Sequence, residues 1–255
     1  MTTALVTGGT SGIGAAFARA LAERGHDLVL VARDPDRLAQ MATELTDSYD
    51  IEVEVLSADL SDRDDTLRVA SRLESTEQPI DILVNNAGFG VHTKLTADDT
   101  APHEYAIDVM IRAVLILAAA AGRTMRSRGR GAIVNVSSTA GFITMGSYSA
   151  VKAWVTSYTE GLANELCNTG VQVTALCPGW VRTEFHQRAE IGTSKIPDWM
   201  WLDADRLVAD CLDDVERHRV ISIPSKRYQA LMLAARHLPR RAVRFASRKL
   251  SSSRH

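Results

Sequence analysis

The chain has 255 residues, 45% of them hydrophobic, and carries 29 Lys/Arg against 31 Asp/Glu. That is enough apolar material for one substantial core, and outside its basic C-terminal stretch the chain is acidic, which argues against a nucleic-acid partner. No apolar run reaches the ~18–20 residues of a membrane span. The three cysteines, Cys167, Cys177 and Cys211, are unclustered. They fit reduced thiols in a cytoplasm and no metal site, and no leader-like stretch precedes the first strand signal.

Strand-like and helix-like segments alternate from the start, which predicts βαβ units and a parallel sheet of about seven strands. Residues 3–7 read as the first strand and 13–24 as its helix. Between them lies Thr7-Gly8-Gly9-Thr10-Ser11-Gly12-Ile13-Gly14. Glycines at such a turn let the backbone approach a pyrophosphate, which the helix N-terminus then stabilises. The spacing is Gly-x3-Gly-x-Gly rather than the commoner dinucleotide fingerprint.

The second strand is expected at 27–32, a nearly unbroken Leu/Val run suited to a sheet covered on both faces. A dinucleotide site places an acid near its end for the ribose 2′-hydroxyl, but this chain has Ala32 and then Arg33. A guanidinium there points to a 2′-phosphate, hence NADP rather than NAD. Asp34 is expected to cap the following helix, with Pro35 in its first turn.

Residues 53–57 and 82–84 read as the third and fourth strands. Asp59-Leu60 follows one and Asn85-Asn86-Ala87-Gly88 the other, both at the carboxyl edge where ligands bind in open parallel sheets. Residues 102–128 form a long apolar-striped helix. The fifth strand, from residue 131, ends in Ser137-Ser138. A helix then opens near Tyr148 and brings Tyr148 and Lys152 onto one face. An ammonium beside a phenol favours the phenolate, so Lys152 is expected to lower the Tyr148 pKa. The sixth strand covers 171–176 and is followed by Pro178-Gly179-Trp180-Val181-Arg182-Thr183. That turn could offer backbone N–H groups and the Thr183 hydroxyl to a carboxamide. A seventh strand is expected at 220–223.

Taken together these segments resemble the short-chain dehydrogenase/reductase family over about residues 3–223. The resemblance rests on Thr7-Gly8-x3-Gly12-x-Gly14, Asp59-Leu60, Asn85-Asn86-Ala87-Gly88, Ser138, Tyr148-x3-Lys152 and Pro178-Gly179-x-Val181-x-Thr183. It implies a Rossmann-type doubly wound domain over residues 1–224. It also implies hydride transfer between NADPH and a carbonyl or alcohol, with Ser138, Tyr148 and Lys152 catalytic. Ser138 would hold the substrate oxygen and Tyr148 would be the acid/base, while Lys152 would bind the nicotinamide ribose. The cofactor would be held by Gly8, Thr10, Ser11, Gly12, Ile13, Gly14, Arg33, Asp59, Leu60, Asn86, Ala87, Gly88, Pro178, Gly179, Val181 and Thr183, together with Tyr148 and Lys152. A homodimer or homotetramer is implied as well. The other reading is a non-catalytic protein that senses NADP redox state, against which stand the intact Tyr148 and Lys152.

Two departures from the family pattern carry expectations. Many members open the long helix at an asparagine, and Met110 stands at the matching position, so an unbroken helix is expected through 107–113. The Ser138-to-Tyr148 interval is about three residues short, which implies a tighter loop. Residues 184–202, with Phe185, His186, Ile196, Trp199, Met200 and Trp201, read either as a lid for a lipophilic substrate or as simple packing. His92, His103 and His186 read as isolated surface histidines. From residue 217 to the end there are eleven Lys/Arg and no Asp/Glu. The resulting basic tail, residues 225–255, is expected to carry a short amphipathic helix. It either touches an anionic membrane or lies against the acidic body.

Overall fold

The computed structural model describes residues 2–183, 197–239, 241–245 and 247. Seven parallel strands form the sheet: β1 (Thr3–Thr7), β2 (Asp27–Ala32), β3 (Val53–Ser57), β4 (Ile80–Asn85), β5 (Gly131–Val136), β6 (Val171–Leu176) and β9 (Ile221–Ser222). Their order is β3-β2-β1-β4-β5-β6-β9, so the chain reverses direction across the sheet between β1 and β4. A crevice opens at such a reversal, beyond the carboxyl ends of the strands. Two residues each from β7 (Trp180–Val181) and β8 (Trp201–Leu202) pair as a separate parallel ribbon. The expected α/β class and strand count are met.

Side chains alternate across each strand and supply both faces of the core. Ala4, Val6, Leu28, Leu30 and Val134 pack towards α1 (Gly12–Glu23), α2 (Pro35–Ser48) and α7 (Ala204–Glu216) through Phe17, Leu21, Leu38, Leu45 and Leu207. Leu5, Val29, Leu83, Ile133 and Val173 face the other way. They meet Val69 and Leu73 of α3 (Arg63–Leu73), Leu117 and Ala121 of α5 (Ala113–Arg128), and Leu162 of α6 (Gly146–Glu165). Asp34 caps α2 by accepting the Asp36 and Arg37 amides, both at 3.1 Å. Helix α8 (Lys226–His237) follows β9, and residues 241–245 beyond it are helical as well.

The long helix corrects one expectation. Between α4 (Ala101–Ile107) and α5, residues Asp108–Arg112 are wound as a π-turn, and the Ala113 amide reaches back to the Asp108 carbonyl. Met110 therefore does not restore a regular α-helix. The wide turn is spanned by other groups: Arg112 pairs with Asp108 at 2.7 Å and donates to the Ser61 carbonyl at 2.6 Å. The Met110 side chain, 1% exposed, packs beneath Gly88. By length and composition the whole stretch Ala101–Arg128 could cross a membrane. Here 56% of its apolar window is buried within the domain, as in the core helix of a folded domain.

Candidate active site

The carboxyl ends of β1, β2, β4, β5 and β6 converge on one cleft of about 950 Å³. Its floor begins at the glycine turn. Gly8 and Gly12 take left-handed φ values of 65° and 55°, which a side chain would strain. Gly14 sits so close to the turn that a Cβ would fall 2.1 Å from the Gly8 carbonyl oxygen. The first turn of α1 has no acidic residue, so its amide end stays favourable to an anion. Thr183 stands 3.3 Å from where a Gly12 Cβ would be and covers the turn from above.

Asn86 ties this turn to the end of β4. Its side-chain amide donates to the Thr7 and Gly8 carbonyls at 2.9 and 3.3 Å. The Thr7 hydroxyl in turn accepts from the Asn86 and Ala87 amides. Thr7 thus builds the site, although sequence reading placed it only within the motif. At the far edge, Arg33 donates to the Tyr105 phenol at 2.8 Å, and Arg37 joins it on the cleft wall. Asp59 holds its own loop by accepting from the Ser61 amide and hydroxyl, while Leu60 lines the cleft.

At the other end, the two serines divide their tasks. Ser137 donates to the Lys152 main-chain carbonyl at 2.7 Å and shares a 2.7 Å bond with Thr156, so it locks β5 to α6. Ser138, 9% exposed, instead bonds the Tyr148 phenol. Its Oγ also accepts the Ala140 amide at 3.1 Å. The shortened interval holds a 3-10 turn, Thr139–Phe142, and a short loop at residues 143–145 before α6, and Ser138 and Tyr148 still meet.

Lys152 is 5% exposed and donates to the Val136 carbonyl at 2.8 Å, with its ammonium 5.7 Å from the Tyr148 ring centre. The expected lowering of the Tyr148 pKa is not found. Burial pushes the phenol up to about 12, with the Ser138 hydrogen bond opposing, and burial pulls Lys152 down to about 8. At neutral pH the phenol is a proton donor, backed by a protonated amine.

The Pro178 carbonyl accepts from the Thr139 amide at 2.9 Å, from its hydroxyl at 3.1 Å and from Ser138 at 3.4 Å. This fastens the Pro178–Val181 turn to the serine strand end. Apolar side chains missed in the sequence complete the cleft: Phe89, Val91, Ile143 and Met145. His92 lines it too. His103 is not the isolated histidine expected, since its ring nitrogens bond Ser147 at 2.8 Å and the Lys94 carbonyl at 3.1 Å. Of the suggested lid, Trp201 stacks edge-on against Trp180 at 6.0 Å and Trp199 is exposed. Phe185, His186 and Ile196 lie outside the described residues. Every cofactor and catalytic residue expected from the sequence except Gly14 lines this one cleft, and Gly14 lies just beneath its floor.

A model of the family described as short chain dehydrogenase matches residues 2–192. The chain belongs to the short-chain dehydrogenase/reductase family. It is 38% identical over 195 residues to an uncharacterized oxidoreductase of Staphylococcus saprophyticus, covering 75% of this chain and 83% of that one. Among solved structures it resembles a short-chain dehydrogenase from Sphingobium yanoikuyae in complex with NADPH. That match has 37% identity and a TM-score of 0.84, covering 92% of this chain and 94% of the other. It also resembles a bulky-bulky ketone specific alcohol dehydrogenase from Comamonas testosteroni, at 33% identity, TM-score 0.80 and 92% of each chain. As a family member the chain is an NAD(P)-dependent oxidoreductase, and its glycine cradle fits a dinucleotide pyrophosphate.

Proposed function

We propose that the protein is an NADP-dependent reductase of a bulky, lipophilic ketone, or a dehydrogenase of the matching alcohol. The observation that carries the cofactor choice is Arg33. It stands where a ribose-binding acid would be, on the cleft wall beside Arg37. Two guanidinium groups favour a phosphate and would leave an unphosphorylated ribose without its acid partner. The apolar wall formed by Phe89, Val91, Ile143 and Met145 supports a lipophilic substrate, as does the likeness to the bulky-ketone enzyme.

NADPH would supply the hydride, and the chain's own residues would manage the proton. Ser138 holds the substrate oxygen. Tyr148, kept neutral by burial, gives its proton to that oxygen as negative charge develops there. Lys152, charged below about pH 8, would hold the nicotinamide ribose and offset the phenolate left behind. A neutral phenol at rest suits reduction better than oxidation. The exposed Ile107 and Leu115, with the stacked Trp154–Tyr158 pair nearby, support a homo-oligomer.

The test is a screen of ketones followed by NADPH absorbance, with affinities for NADPH and NADH measured in parallel. NADPH is expected to bind at least about tenfold tighter, equivalent to ~1.4 kcal/mol. Arg33→Asp should remove or invert that preference. Tyr148→Phe should abolish turnover and leave NADPH binding nearly intact. Equal affinity for the two cofactors overturns the NADP assignment, and substantial activity in Tyr148→Phe overturns the acid/base.

A further inference from the structure

The family match ends at residue 192, yet two side chains well beyond it hold walls of the cleft. Tyr228, in the first turn of α8, is 6% exposed. Its ring lies flat against Gly179: a Cβ there would fall 2.1 Å from the ring carbon Cζ and 2.4 Å from Cε1 and Cε2. Its hydroxyl accepts the Trp180 amide at 3.1 Å and donates to the Met200 carbonyl at 2.9 Å. One phenol therefore fixes both the position and the tilt of the Pro178–Gly179–Trp180 turn. Because the Pro178 carbonyl receives Ser138 and Thr139, any shift of that turn is felt at the serine.

The second contact lies on the substrate side. Ser247 is 2% exposed, and its Oγ accepts the Thr144 amide at 3.2 Å. Thr144 sits between Ile143 and Met145, both on the cleft wall and within five residues of Tyr148. Helix α8 itself packs against the 3-10 turn Thr139–Phe142. Tyr228 and Ser247 thus hold two different walls of the cleft, each through a buried hydroxyl.

We propose that Tyr228 and Ser247, both beyond β9, act together as a strap that sets the shape of the catalytic cleft. Tyr228 is the positioning residue for the cofactor-side turn, and Ser247 is that for the substrate-side loop. Neither touches reacting atoms. Each acts through a main-chain amide whose position it fixes. The substrate half of this proposal rests on the ketone-reductase reading, while the cofactor half does not.

Tyr228→Phe keeps the ring on Gly179 and deletes both hydrogen bonds. Ser247→Ala deletes the other, and Ser247→Thr returns the hydroxyl. Hydrogen–deuterium exchange at Trp180 and Thr144, NADPH fluorescence titration, and kcat and KM for a ketone from the screen are read for each variant. Tyr228→Phe is expected to speed exchange at Trp180 and to weaken NADPH by about fivefold, the scale of one lost hydrogen bond. Ser247→Ala is expected to speed exchange at Thr144 and raise the ketone KM by about threefold to tenfold. Its NADPH affinity and its Trp180 exchange should stay at the parent values, and Ser247→Thr should restore the KM. A purely structural strap would lower melting temperature and leave NADPH affinity and KM unchanged, which overturns the proposal. Failure to reduce any ketone would sink the substrate reading, and the exchange and NADPH measurements would still decide the strap.

Discussion

Arg33 and Tyr105, 72 positions apart in the chain, are joined by a 2.8 Å hydrogen bond from guanidinium to phenol oxygen at the rim of the cleft. The Tyr105 ring in turn lies 4.9 Å from Phe89, centre to centre, next to the Asn86–Gly88 loop. The residue proposed to read the 2′-phosphate is therefore already anchored to the cleft wall. A guanidinium has five N–H donors, so it can keep Tyr105 and still take a phosphate. The anchor lowers the ordering cost of doing so.

Tyr105→Phe should retain the contact with Phe89 and release Arg33. Loss of one hydrogen bond of about 1 kcal/mol predicts NADPH binding weaker by about fivefold. NADH, which has no phosphate for Arg33, should be unaffected. Fluorescence titration of both cofactors checks this. A variant in which both weaken equally would mean that Tyr105 supports the cleft in general and not Arg33.

Lys152 gives a prediction about stability and pH. Burial holds its pKa at about 8 instead of 10.5, so below pH 8 the folded protein carries a buried ammonium at full cost. Between pH 8 and 10.5 the folded state loses the proton while the unfolded chain keeps it. The unfolded state then binds more protons, and stability rises with pH over that window. A shift of that size corresponds to a net penalty on the order of 3 kcal/mol. Lys152→Met should therefore be inactive yet more stable than the parent at pH 7, with the advantage shrinking by pH 10. Tyr148, pushed up to about 12, works in the opposite direction above pH 10, so urea titrations should stop there. A stability gap that does not change between pH 7 and 10 would contradict the buried ammonium.

Much of the scaffold was legible because it is local. β2 reads as a near-continuous apolar run and Asp34 as a cap, since each depends on neighbours within a few residues. The motif residues were legible for the same reason, because they cluster at or just beyond strand ends and in the first turns of helices α1 and α6. α3 was not anticipated. Five of its eleven residues are charged, and only Thr66, Val69, Ala70 and Leu73 mark its buried face. The π-turn had no local signal either, being spanned in part by a bond from Arg112 to Ser61, 51 residues away. Ser247 reaches Thr144 across 103 residues, beyond what any periodicity can report. The Tyr148 pKa is not legible from the Tyr148–Lys152 spacing, because burial of the two groups, which depends on the whole fold, outweighs the neighbouring lysine charge.

The last prediction concerns Thr7, the hydroxyl that joins the glycine turn to the Asn86 loop. It is 1% exposed, accepts from the Asn86 and Ala87 amides at 2.9 and 3.1 Å, and donates to the Val84 carbonyl at 3.3 Å. Thr7→Val keeps the shape and removes every one of these bonds, leaving two main-chain amides without partners. Leaving such groups unpaired should cost about 2–4 kcal/mol. The damage should extend to function, because Gly8 and Asn86 line the same cofactor cleft and are held together through this residue. Thr7→Ser removes only a buried methyl, a loss of about 1 kcal/mol, and should bind NADPH like the parent. Urea unfolding and NADPH titration of the two variants together separate the hydroxyl from the methyl. If Thr7→Val proves as stable as Thr7→Ser and binds NADPH as tightly, the loop is held by the Asn86 side chain alone.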